Sequence, residues 1–446
     1  MLAHLVNRAA PLRVLGCAMA FLLFIAMPGI AIAQDARGSD PTSTTTAASN
    51  PGDPAQPTTD ARSLWLFSEP KFITQGLDLA KKFVGDGTGT RKSGFYPELS
   101  NMNTGAGFVS AGPGYRQNLF GGKAFVDTSA ALSWHLYKMV QARVEAPELA
   151  TNRVTIGAQA MWRDDTQVSY SGLGTSPLMA DQAQYRMQSA DFVGYGAVRP
   201  AEWLSLGAEF GWLKSPRVME TAGTFNPDYP DARVLYANDP AMSEPSQPNF
   251  THLELSVLAN TLDSRSHPTE GGLYRAALTS YFAGNGGTYS FDQWEGEAVQ
   301  MVPLGDKRVV LGLHGWTVSS KVGDGHSVPF YLIPSIGGHN TLRAFDDYQF
   351  HDQNLIVANA ELRVALLAHL DVAAFYDAGN VAARYRDLNF DKTSIGAGLR
   401  LHMRKATFAR LDVAHGAEGW QVMLRTSDPF KLSRLSRRTA VVPFVP

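Results

Sequence analysis

The sequence predicts an all-β chain, a transmembrane antiparallel β-barrel of about sixteen strands, an even number within the bacterial range. Three observations carry that expectation. From about Gly105 onward, apolar and polar residues alternate with period two, interrupted by Gly, Pro, Asn and Asp. The polar face keeps its charges in strand after strand, while Tyr195, Trp203, Trp212, Tyr281, Tyr376 and Trp420 cluster near strand ends, as interfacial girdles do. Turns alternate short (199–201, 303–306, 403–405) with long (214–249, 319–353), the rhythm of tight periplasmic turns and long extracellular loops.

Composition agrees and excludes other classes. Charged residues are 18% and hydrophobic residues 44% of 446. The mean hydropathy of -0.14 is too low for a bundle of membrane-spanning helices. A barrel hides its apolar half in alternation, so an ordinary average suits it. The net charge of -2 and the lack of a basic stripe set nucleic-acid binding aside. The single cysteine, Cys17, falls in the targeting segment, leaving no thiol for a disulfide or a metal in the mature chain.

Along the chain, residues 1–33 read as a signal peptide. Arg8 and Arg13 form its positive start, 14–32 its apolar core, and Ala31-Ile32-Ala33 its small-residue cleavage site. Residues 34–62 are a Thr-, Ala-, Pro- and Ser-rich disordered linker. Residues 63–100 form a short periplasmic segment with Ile73, Leu77, Ala80, Phe83 and Val84 at helical spacing. The barrel is expected over 101–430, with a C-terminal tail over 431–446 in which Pro443 and Pro446 oppose strand formation. After Gln34 no apolar run approaches the roughly 20 residues that a helix needs to span. The chain must therefore enter a membrane as a barrel.

Within the barrel, Leu204, Leu206, Ala208, Phe210 and Trp212 share one face, opposite Ser205, Gly207, Glu209 and Gly211. The same parity places Glu361 with Asn359 and Arg363 on the polar face of the strand over 354–364. It places Asp377 inward on the next strand, so two carboxylates face the lumen from neighbours. Upstream lies Gly337-Gly338-His339-Asn340-Thr341-Leu342-Arg343-Ala344-Phe345. The glycines let the backbone turn sharply, Leu342 and Phe345 offer apolar anchors, and the planar guanidinium of Arg343 can serve two carboxylates at once. These residues suit a loop that tucks into the lumen and is locked by Arg343 against Glu361 and Asp377, and they suit equally an exposed loop arginine above acids that line a wet pore. His339 and His351 in that loop read as solvated polar residues.

The run from Gly337 to Phe345, followed by Ala358-Asn359-Ala360-Glu361-Leu362-Arg363 and Phe375-Tyr376-Asp377-Ala378-Gly379-Asn380, resembles the BamA/TamA-type outer-membrane superfamily, the bacterial surface antigen family. The resemblance implies that an arginine of a long extracellular loop, here the sixth, folds into the barrel and pairs with acidic wall residues. It covers roughly 100–430 and is specific from Gly337 to Asp412. Asp263-Ser264-Arg265 with Pro268 and Gly271-Gly272 resembles a family turn that precedes a strand. Gly419, Val422 and Leu424 fit the family's carboxy-terminal assembly signal, with Phe430 as its terminal aromatic. One departure is Ala344, where the family usually has glycine; a positive φ there would strain it. A second is that the sequence ahead of the barrel is too short and irregular for a POTRA domain.

The resemblance implies an exported protein of the Gram-negative outer membrane, in contact with lipid and lipopolysaccharide. Its work would be outer-membrane protein assembly or translocation of client proteins. A passive pore or surface antigen on the same barrel stays open beside it. Catalysis is not expected. There is no Gly-Xaa-Ser-Xaa-Gly elbow, the histidines lack metal-ligand spacing, and Arg343 would hold both acids ionised. No cofactor or metal is expected either.

Overall fold

In this computed structural model the described residues are 93–98, 110–133, 135–174, 182–222, 229–244, 247–264, 267–284, 286–305, 307–403, 406–425 and 429–430. The chain divides into two units, Met1–Ser63 and Leu64–Pro446, and every described residue belongs to the second. The expected signal peptide, linker and tail, and all of 63–100 up to residue 92, lie outside the described residues.

The strands are β1 (Gly94–Glu98), β2 (Ser110–Leu119), β3 (Ala124–Ser133), β4 (Lys138–Glu148), β5 (Val154–Tyr170), β6 (Ala183–Ala201) and β7 (Leu204–Met219). They continue as β8 (Phe250–Asn260), β9 (Gly271–Ala283), β10 (Phe291–Leu304) and β11 (Val309–Val322). A two-residue ladder, β12 (Ser335–Ile336) with β13 (Phe350–His351), sits inside the following loop. The wall resumes with β14 (Asn354–Leu367), β15 (Leu370–Ala382), β16 (Lys392–Met403), β17 (Ala406–Gly416) and β18 (Gly419–Arg425). All but β12 and β13 join one 16-stranded sheet, each strand paired antiparallel with its neighbours in sequence.

The sheet is inside-out by the standard of a soluble protein. Phe210 is 61% exposed, and Leu206, Trp212, Leu255, Ile395 and Val413 share its outward face. Glu254 is 0% exposed, and Asp127, Glu209, Arg275, Glu295, Arg400 and Asp412 are buried with it on the inward face. Apolar side chains gain nothing from facing water, and unpaired charges cannot face lipid, so this arrangement requires hydrocarbon outside and a polar lumen within.

Two expectations need correction. Wall pairing starts at Gly94, before residue 101, because Phe95 and Tyr96 alternate across β1 and Pro97 is tolerated in a strand that ends the sheet. Tyr195 and Tyr281 are not girdle residues. Each is 5% exposed, on the lumen face. Their parity is that of Asp191 and Gln293, and Tyr195 donates to Glu145 at 2.6 Å. Trp203, Trp212, Tyr376 and Trp420 do face outward.

Candidate functional site: a loop docked in the lumen

The loop between β11 and β14 turns inward because its own sequence closes it. Ile336 pairs with Phe350, making 337–349 a closed excursion. Gly337 and Gly338 have φ of 120° and 85°, and a Cβ on either would collide with the Asp346 carbonyl or the Asp347 carboxylate, so only glycine fits. Thr341 Oγ1 donates to the Gly337 carbonyl at 2.9 Å, and the Phe345 amide donates to Leu342 O at 3.1 Å. Leu342, Ala344 and Phe345 are buried in one apolar cluster with Trp316, Val318, Phe350, Leu355, Val357 and Phe375.

This cluster aims Arg343, 1% exposed, at the wall. Its Nη2 donates to Asp377 Oδ1 at 2.7 Å, its Nε to Asp377 Oδ2 at 2.9 Å, and its Nη1 to Glu361 Oε2 at 2.7 Å. The guanidinium sits over the face of Phe375, with Cζ 3.4 Å from the ring centroid. The structure therefore brings Arg343, Glu361 and Asp377 together. Ala344 is absent from the residues of positive φ, so the expected strain does not arise there. Its amide donates to Ser394 Oγ at 3.0 Å, and its methyl group packs where Gly416 leaves room.

Several partners were not singled out from the sequence. Asn359 stands opposite Asp377 in register and donates from Nδ2 to Asp377 Oδ1 at 2.8 Å and to the Thr341 carbonyl at 2.6 Å. Glu361 is shared. Besides Arg343 it receives Arg363 Nε at 2.9 Å and Arg400 Nη2 at 2.7 Å. Arg400 also reaches Asp412 at 2.5 Å, and Arg410 Nη2 donates to the His339 carbonyl at 2.7 Å. Gly396 and Gly398 leave space on β16, since a Cβ would strike Phe375 at the first and Asp412 and Arg400 at the second. Period-two parity was the available signal for all of these, because each shares the inward face with Glu361 or Asp377.

His339 and His351 correct a further expectation, as neither is solvated. His339 is buried with its Nδ1 3.3 Å from Asp347 Oδ1, and burial holds its imidazole below the usual value against the pull of that carboxylate. His351 packs edge-on to Tyr170 at 5.2 Å. Gly419, Val422 and Leu424 lie in β18, with Val422 and Leu424 facing outward. Phe430 is not part of that strand, which ends at Arg425. It lies in the lumen with Leu258, Leu273, Val299, Met301 and Val310, where Gly312 opens space for its ring.

The Omp85 superfamily domain model matches residues 146–418. This chain belongs to the Omp85 superfamily. As an Omp85 barrel its place is the Gram-negative outer membrane. Among solved structures it is similar to BamA from Haemophilus ducreyi lacking POTRA domains 1-3, with a TM-score of 0.56 at 16% identity over 79% of this chain and 78% of that one. CdiB from Acinetobacter baumannii (TM-score 0.45, 13% identity, 75% of this chain) and CdiB from Escherichia coli (0.48, 12%, 76%) are further matches. The chain spans 57% and 63% of the length of those two proteins. Comparison with curated proteins gives no match. In this Omp85 chain the residues that dock the loop, from Gly337 to Asp412, fall within the matched span.

Proposed function

We propose that this barrel assembles other proteins into the outer membrane or translocates them across it, with client polypeptides as partners and lipid and lipopolysaccharide around its apolar band. The observation that carries this reading is the seam. The two ends of the sheet are β1 and β18, each paired on one side only, and among the described residues no ladder joins them. A strand paired on one side only presents unpaired backbone groups, which favours pairing with an incoming strand or parting of the wall. The docked loop complements it by bracing β14 to β16 from inside, so the wall can loosen at the seam without collapsing.

We also read the protein as non-enzymatic. Both oxygens of Glu361 and both of Asp377 already accept from guanidinium or amide donors, which suits a lock and leaves no oxygen to act as a base. A passive pore or surface antigen is the second reading, favoured by the density of buried charge lining the lumen.

Depletion followed by quantitative proteomics of isolated outer membranes tests the proposal. Selective loss of one or more other barrel or secreted proteins is expected and would name the clients. An unchanged outer-membrane proteome would overturn it in favour of the pore or antigen.

A further inference from the structure

At the periplasmic end, three residues far apart in sequence converge. His267 lies in the turn between β8 and β9, which Asp263 braces by accepting from the Thr269 amide at 2.9 Å and hydroxyl at 2.6 Å. Asp371 opens β15, and His402 lies near the end of β16. His267 Nε2 is 3.2 Å from Asp371 Oδ2, and His402 Nε2 is 3.2 Å from Asp371 Oδ1. The two imidazoles stack nearly parallel, their centroids 3.8 Å apart at 8°. All three residues are buried, and their ligand atoms lie within 4.8 Å of one another.

The geometry points to a divalent transition-metal site, of the zinc type, held by His267, Asp371 and His402. Two imidazole nitrogens and one carboxylate oxygen are a donor set that zinc accepts, with the fourth position left for water. Bonds of about 2.0–2.2 Å require the two rings to swing out of their parallel stack, so that both Nε2 lone pairs meet at one ion beside the Asp371 carboxylate. His267 Nδ1 is 3.2 Å from Thr407 Oγ1, an outer partner of the kind that fixes the tautomer and turns Nε2 toward a metal.

Bound there, the metal would staple the β8–β9 turn across the lumen mouth to β15 and β16, whether the barrel is an assembly factor or a pore. Such a site was invisible as spacing, because 104 residues separate His267 from Asp371 while His402 lies one strand further on. It revises the expectation that the chain holds no metal site.

The test uses the full-length, untagged protein, folded in detergent, stripped with EDTA, equilibrated with zinc chloride and dialysed. Elemental analysis is expected to find about one zinc per chain, falling below about a tenth in His402→Gln and in His267→Gln. His415→Gln, at an exposed position on β17, should keep the wild-type content. Cobalt(II) loading of the wild type should give the intense visible absorption of a four-coordinate site, a readout that does not depend on any variant folding. Heat-modifiable gel mobility checks that each variant is a folded barrel. Wild-type protein that retains no zinc and gives no such cobalt spectrum, or a folded His402→Gln that binds as the wild type does, would reduce the cluster to a hydrogen-bonded clamp and overturn the site.

Discussion

Arg343 is one of four guanidinium groups, with Arg363, Arg400 and Arg410, gathered around the carboxylates of Glu361, Asp377 and Asp412. Removing it therefore leaves Glu361 compensated by Arg363 and Arg400, and Asp377 with Asn359. The cost, roughly 3 kcal/mol for a broken buried pair, comes from the Asp377 carboxylate left without a cation, and release of the loop lowers it by admitting water. Arg343→Ala should insert normally but expose 323–353 to added protease, with Arg343→Lys intermediate because an ammonium lacks the planar reach to both acids and to Phe375. Limited proteolysis of reconstituted vesicles reads this, and a lysine variant as resistant as the wild type would contradict the two-acid dock. The trio itself was legible, since parity alone turns Glu361 and Asp377 inward. Arg400 was not, because parity gives a face while its reach to Glu361 across β15 depends on the register of three strands.

The loop acts as one unit: its closing ladder, its two left-handed glycines and its apolar plug all serve a single docked state. Gly338→Ala places a methyl group against Asp347 at a φ of 85°, where an L residue is strained by about 1–3 kcal/mol. Because Gly338 and Arg343 support the same state, their effects should not add. The Gly338→Ala/Arg343→Ala double variant is expected to be cleaved no faster than the more sensitive single variant. Additive cleavage rates would mean two independent dockings. Elements of this kind are readable where a period persists, as in β7 and β16. β1 was missed because five residues including Pro97 carry too little alternation, and Tyr195 was misplaced because an aromatic near a strand end looks the same whether it meets lipid or donates to Glu145.

Among the described residues, segments reach into the lumen from both ends. The 323–353 loop fills it from the extracellular side, with Phe330, Tyr331 and Leu332 packed against Tyr170, Tyr185 and Phe250, and with Met242 of the 220–249 loop. From the periplasmic side the β8–β9 turn crosses to β15 and β16, and Phe430 covers the apolar patch around Val299 and Met301. That patch explains why an aromatic expected to end the last strand is found inside the barrel. The patch is an apolar seat on a wall face that also carries many charges, and burying a ring there is favourable by about 1.5–3 kcal/mol. Barriers in series behave differently from barriers in parallel, since ions must pass both. Arg343→Ala and Phe430→Ala should each raise single-channel conductance in planar bilayers only slightly, because the intact obstruction still limits the current. The double variant should conduct by clearly more than the sum of the two increments. If Arg343→Ala alone opened the barrel as far as the double variant does, the extracellular loop would be the sole barrier and the periplasmic side an open vestibule.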